Sequence, residues 1–269
     1  MKAWVITLFL AAHVFAAFEY TVREPLAEAT GGSMIASRDK LSSFLLNPAL
    51  SAFSPGLLFS LVYIQPYNLS ELNSGGAIGR FSSKSFGSGL AFSAFGNDLY
   101  QENKITVNFS KGFLNQKFFV GLNLNWFSIR LKEFEGYDAP GIDIGIQYLI
   151  DSRVGMGFSV LNVNQPEING ISQQIPLITR WGLSICWSDR FSSYMAMEKD
   201  VRFPLSVRFA VQIKLAPFMS LYSGMTSYPS VPALGIGFIR KWITIQYAYQ
   251  HHFDLGGSHL WGLTFSRIK

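Results

Sequence analysis

Apolar side chains in this chain recur at every second position, and the positions between them hold mostly small or polar residues with few charges. Ile142, Ile144, Ile146, Tyr148 and Ile150 alternate with Asp143, Gly145 and Gln147. Val154, Met156, Phe158 and Val160 alternate with Gly155, Gly157 and Ser159, and Trp181, Leu183, Ile185 and Trp187 with Gly182, Ser184 and Cys186. Leu205, Val207, Phe209, Val211 and Ile213 oppose Ser206, Arg208, Ala210, Gln212 and Lys214. A period of two predicts β-strands with one apolar face. Counting from residue 56 gives about fourteen of them at a spacing of roughly 15 residues, enough for a tilted membrane strand and a short turn.

The faces opposite the apolar ones decide between two architectures. A secreted sandwich turns its polar faces to water and charges them, whereas a membrane barrel turns apolar faces to lipid and small or polar ones to a lumen. Here the charged residues make up 14% of the chain, against about 25% in an ordinary soluble domain. Aromatics make up 15%, and several pairs fall near predicted strand ends, as bilayer girdles do: Tyr63 and Tyr67, Trp126 and Phe127, Trp181 and Trp187, Tyr247 and Tyr249. The expectation is an all-β fold, a transmembrane antiparallel β-barrel of about fourteen strands. Intrinsic disorder is excluded by the aromatic content and the low charge.

Residues 1–17, MKAWVITLFLAAHVFAA, combine Lys2, an apolar run and small residues before a cleavage point. They read as a secretory signal peptide and are too short for a membrane anchor. The remainder has no apolar window long enough for a transmembrane helix. Residues 18–55 then form an N-terminal plug segment with a short helix near Asn47-Pro48-Ala49-Leu50, since Asn caps helices and Pro suits the first turn; a plain lead-in is the alternative. Residues 56–269 form the barrel.

The net charge of +5 is scattered, so no nucleic-acid stripe is expected. Cys186 stands alone, which excludes an intramolecular disulfide and a multi-cysteine metal site. His251, His252 and His259 lie close in sequence but lack acidic or thiol partners at ligand spacing. Ser258 and His259 are adjacent, so in a strand they face opposite ways. No enzyme, cofactor or metal is expected. Arg180, Arg208 and Lys214 fall on the lumen face with Asp143 and Glu198. There they either bind the carboxylate of a ligand or brace the barrel by pairing with the acids.

Gly31-Gly32-Ser33, Ala36, Asn47-Pro48-Ala49 and a following strand resemble the N-terminal pattern of FadL-like and PorV/PorQ-like outer-membrane barrels. Gly224-Met225, Gly235-Ile236-Gly237, Ile245 to Tyr249 and Gly257-Ser258-His259 resemble that superfamily's closing strands. The resemblance implies fourteen strands, an N-terminal segment in the lumen (Gly31, Gly32, Asn47, Pro48 and Ala49 as its motif), an outer-membrane location and outer-membrane lipid as a partner. A FadL-like member binds or passively passes hydrophobic small molecules, with Phe44, Leu45, Leu46 and Leu50 expected at the ligand. A PorV/PorQ-like member is a non-transporting subunit of a type IX secretion or surface-attachment complex, with secretion proteins as partners. Two departures stand out: the chain is short for either branch, and it ends Phe265-Ser266-Arg267-Ile268-Lys269 without a terminal aromatic.

Overall fold

A computed structural model describes residue 18 and residues 21–268, apart from 40, 42, 54, 84, 134–135 and 169–172. The expected signal peptide, residues 1–17, lies outside the described residues.

The chain folds into a closed antiparallel barrel of fourteen strands. The first seven are β1 (Gly56–Gln65), β2 (Ser74–Ser82), β3 (Phe86–Gly96), β4 (Tyr100–Phe113), β5 (Phe118–Leu131), β6 (Tyr137–Leu149) and β7 (Val154–Leu161). Two short strands, β8 (Glu167–Ile168) and β9 (Gln173–Gln174), pair only with each other. The wall continues through β10 (Ile178–Cys186), β11 (Phe191–Asp200), β12 (Ser206–Ala216), β13 (Met219–Ser227), β14 (Ser230–Arg240), β15 (Ile243–His252) and β16 (Gly256–Ile268). β1 pairs with both β2 and β16, with Ser60 opposite Ile78 and Thr264, so the sheet has no free edge.

The alternation read from the sequence is the alternation of the wall. On β5, Leu122, Leu124 and Trp126 point outward and are 36–49% exposed, whereas Asn123, Asn125 and Phe127 point inward and are buried. An outward apolar belt and an inward polar face suit lipid outside and a polar interior. No described helix is long and apolar enough to cross a membrane.

The two ends differ. Short turns, such as 217–218 and 241–242, join strands at the end where β1 starts and β16 finishes, here the turn end. The connections 66–73 and 162–177 lie at the opposite, loop end.

The described residues between 21 and 53 run inside the barrel. A five-residue helix, α1 (Pro25–Ala29), carries Pro at its first position and packs on β13 to β16. A 3₁₀ turn at Met34–Ala36 packs on β7, β10 and β11, and another at Pro48–Ala52 on β2 to β6. The segment therefore touches the wall on every side. The α-helix sits earlier than the Asn-Pro-Ala motif, which forms a 3₁₀ turn. Pro25 is the local signal for it.

Inward glycines make room for this contact. A Cβ at Gly121 would lie 2.2 Å from the Pro48 carbonyl, one at Gly157 2.6 Å from the Ile35 oxygen, and one at Gly224 2.5 Å from Thr30 main chain. The wall is flat where the plug's backbone needs to approach.

Candidate functional site

The plug is fastened by its own polar motif. The Asn47 side chain accepts from Ala49 N–H at 3.1 Å, capping the turn that Pro48 opens. Its amide nitrogen donates to the carbonyls of Ile35 at 2.9 Å and of Ile146 in β6 at 3.0 Å. One buried side chain thus joins two plug turns and the wall. Around it, Asn108 donates to the Pro48 carbonyl at 3.0 Å and to Asn123 at 2.7 Å. Asn123 donates to the Phe44 carbonyl and to Asp143, both at 3.2 Å. Asp143 accepts from Asn162 N–H at 2.9 Å. Buried amides are costly unless bonded, and here plug carbonyls use them.

Gly31 and Gly32 turn the chain after α1 with φ of +60° and +71°, a region open to Gly without Cβ strain. The Gly31 carbonyl accepts from Arg208 at 2.8 Å, and a Cβ on Gly32 would sit 2.7 Å from the same guanidinium.

Above the plug, a cavity of about 640 Å³ opens toward the loop end. Its floor is Thr21, Val22, Arg23 and Leu45; its walls include Ala91, Lys104, Phe127, Arg180, Glu198 and Arg208. Asn162, Ile175 and Pro176 of the 162–177 connection and Asp200 with Arg202 stand on its rim. Phe18 packs edge-on against Phe127, with ring centres 4.8 Å apart. An apolar surface therefore adjoins a charged one.

The charged surface is centred on Glu198. Its carboxylate takes Arg180 Nε at 2.6 Å on one oxygen and Arg208 on the other. Antiparallel pairing puts Arg180 opposite Glu198 in the β10–β11 ladder, while Arg208 opposes Ala196 across β11–β12. Both arginines also reach plug carbonyls, Arg180 to Leu46 at 3.5 Å and Arg208 to Gly31. Arg23 pairs with Glu28 at 2.9 Å within the plug. Lys104 differs: it has no carboxylate within 4 Å among the described residues, and its ammonium stands 5.0 Å over the Phe127 ring. Deeper in the plug, burial raises the Glu24 carboxyl above its ordinary range, opposed by a Ser43 hydrogen bond and the Arg80 charge.

The expected site residues are therefore placed apart. Arg180 and Arg208 line the cavity, engaged with Glu198. Lys214 shares their face but is exposed at the turn end, away from the cavity. Of the four plug residues expected at a ligand, Leu45 lines the cavity. Phe44, Leu46 and Leu50 are buried beneath it, Phe44 with its ring against Gly89. Phe127, grouped by sequence with the outer girdle, points inward and forms a cavity wall. His251 and His259 point outward, with Tyr249 and Tyr247 oxygens at 3.3 and 2.8 Å, while His252 lines the cavity rim. Lys104 and Phe127 were missed as site residues although parity marks both: they share faces with Thr106 and Asn108, and with Asn123 and Asn125.

Fourteen lipid-facing strands closed around a fastened N-terminal segment, with an open cavity above it, define a plugged transmembrane barrel. Among solved structures it has the fold of FadL-like outer-membrane barrels. It is similar to a FadL homologue of Pseudomonas aeruginosa, with TM-score 0.58 and 12% identity over 91% of this chain and 96% of that one. It is similar to the Pseudomonas putida toluene transporter TodX, with TM-score 0.61 and 12% identity over 91% and 98%. A TodX mutant described as a monoaromatic hydrocarbon channel gives TM-score 0.63 and 12% identity over 94% and 100%. No family model and no curated protein matches the sequence.

Proposed function

We propose that this protein is an outer-membrane barrel that binds hydrophobic small molecules in the loop-end cavity and passes them on passively. The carrying observation is the cavity itself: its volume of about 640 Å³ falls within the range of small-molecule sites, and one side of its lining is apolar, beside the charged side centred on Glu198. Phe18, Val22, Leu45, Ala91, Phe127 and Ile175 supply the apolar contact. The similar barrels described as a toluene transporter and a hydrocarbon channel support the same reading. No step in it calls for catalysis or a cofactor.

Arg180 and Arg208 brace the wall and hold the plug in this reading, because Glu198 already occupies both. A ligand bearing an anionic group would meet Lys104.

The test is gentle-detergent extraction from native outer membrane followed by native mass spectrometry. A bound apolar molecule is expected, and Leu45→Asp should lower its occupancy about tenfold, the scale of losing one buried leucine contact. Lys104→Met separates ligand classes: loss of the molecule means an acidic ligand, retention a neutral one. An empty cavity with stably co-purifying secretion proteins would favour the complex-subunit reading instead.

A further inference from the structure

The turn end carries a feature that the cavity does not use. β14 ends at Arg240, the turn Lys241-Trp242 follows, and β16 finishes alongside with Arg267. Arg240 is paired with Ile243, and Ile243 with Phe265, so Arg267 lies two residues further along the same outward face. Ser266 N–H donates to the Trp242 carbonyl at 2.8 Å, holding the turn against β16. The Trp242 indole stacks on Phe265 with ring centres 5.6 Å apart and stays 54% exposed. Arg240, Lys241 and Arg267 are all exposed, and none has a carboxylate within 4 Å among the described residues. Directly along the wall, Phe238 and Ile245 continue the outward apolar belt.

The ends of the barrel are charged in opposite senses. Lys117, Arg153 and Arg190 add further exposed cations in the other turns of this end. The exposed acids there are Asp151 and Asp189, and Asp151 already accepts the Arg153 and Val154 N–H groups at 2.6 and 2.7 Å. At the loop end the exposed acids Glu71, Asp98, Glu133, Glu167 and Asp254 outnumber the exposed cations Arg130, Lys132 and Lys199 among the described residues. Three cations grouped round an interfacial tryptophan, above an apolar face, match a phosphate head joined to acyl chains.

We propose that Arg240, Lys241 and Arg267, gathered round Trp242, form a headgroup site for an anionic glycerophospholipid, with its acyl chains on the apolar face that Phe238 and Ile245 share. The site rests on the membrane-barrel reading. It faces the leaflet at the turn end, the side that short turns occupy in bacterial barrels.

The experiment uses the full folded chain in mixed micelles of phosphatidylglycerol and phosphatidylethanolamine with identical acyl chains, read by native mass spectrometry. Phosphatidylglycerol should be retained in preference. Arg240→Gln, Lys241→Gln and Arg267→Gln together should remove the preference, at roughly fivefold per cation. Lys117→Gln, Arg153→Gln and Arg190→Gln together remove equal charge elsewhere on that end and should leave it intact. Equal loss in both triple variants, or no preference in the natural chain, overturns the site. Displacement of the lipid by excess inorganic phosphate also overturns it, leaving a simple phosphate site. Heat-dependent gel mobility of each variant checks the barrel separately: a chain without that shift fails as a barrel, whereas a normal shift without lipid preference fails only the headgroup site.

Discussion

Glu198 holds two buried guanidiniums, and each guanidinium also grips a plug carbonyl. Removing one partner of a buried ion group costs more than the pair itself contributes, because the charge left behind stays desolvated. Glu198→Ala is therefore expected to destabilise the barrel by about 3 kcal/mol, measured by urea unfolding in liposomes. Glu198→Gln, which keeps a hydrogen-bond acceptor, should cost less. A change within about 0.5 kcal/mol for Glu198→Ala, the range of ordinary surface substitutions, would mean that cavity water solvates both arginines. Parity alone placed Arg180, Arg208 and Glu198 on one face. Their convergence was not legible, since it depends on the β10–β11–β12 register, which is a property of strand pairs. The depth of Phe44, Leu46 and Leu50 was equally hidden: a plug residue's surroundings are set by wall strands far along the chain, as Asn47 meeting Ile146, 99 positions on, illustrates.

At the scale of elements, the plug and wall fit through missing side chains. A Cβ at Gly145 would stand 2.1 Å from the Asn47 side-chain oxygen and 2.6 Å from Pro48 Cδ. Both atoms belong to a turn fixed by several hydrogen bonds, so the turn must leave its seat. Gly145→Ala should raise ion conductance in planar bilayers as the lower lumen opens. Gly79→Ala is the control, because its Cβ would meet only the Leu90 oxygen at 3.7 Å; conductance equal in both variants would sink the seat argument. The strands themselves were legible almost entirely, because a period of two survives in each segment without knowledge of its neighbours. The interior glycines appeared in the sequence as the small partners of the alternation, but their role in receiving main chain became visible only with the plug in place.

On the scale of the whole molecule, the apolar belt, the absence of a free edge and the inward polar network amount to one cooperative shell. Such a barrel should resist detergent until heated, so boiled and unboiled samples are expected to run at different gel positions. Identical positions would mean a structure held together less tightly than a closed sheet. The ring closes only where β1 meets β16, while the segment leading into β1 already occupies the lower lumen and presses its backbone to bare main chain on several sides. That clearance is too small for a folded plug to slide in afterwards. Assembly therefore has an order: the leading segment must be enclosed as the first and last strands zip together, like a stopper around which the bottle is blown.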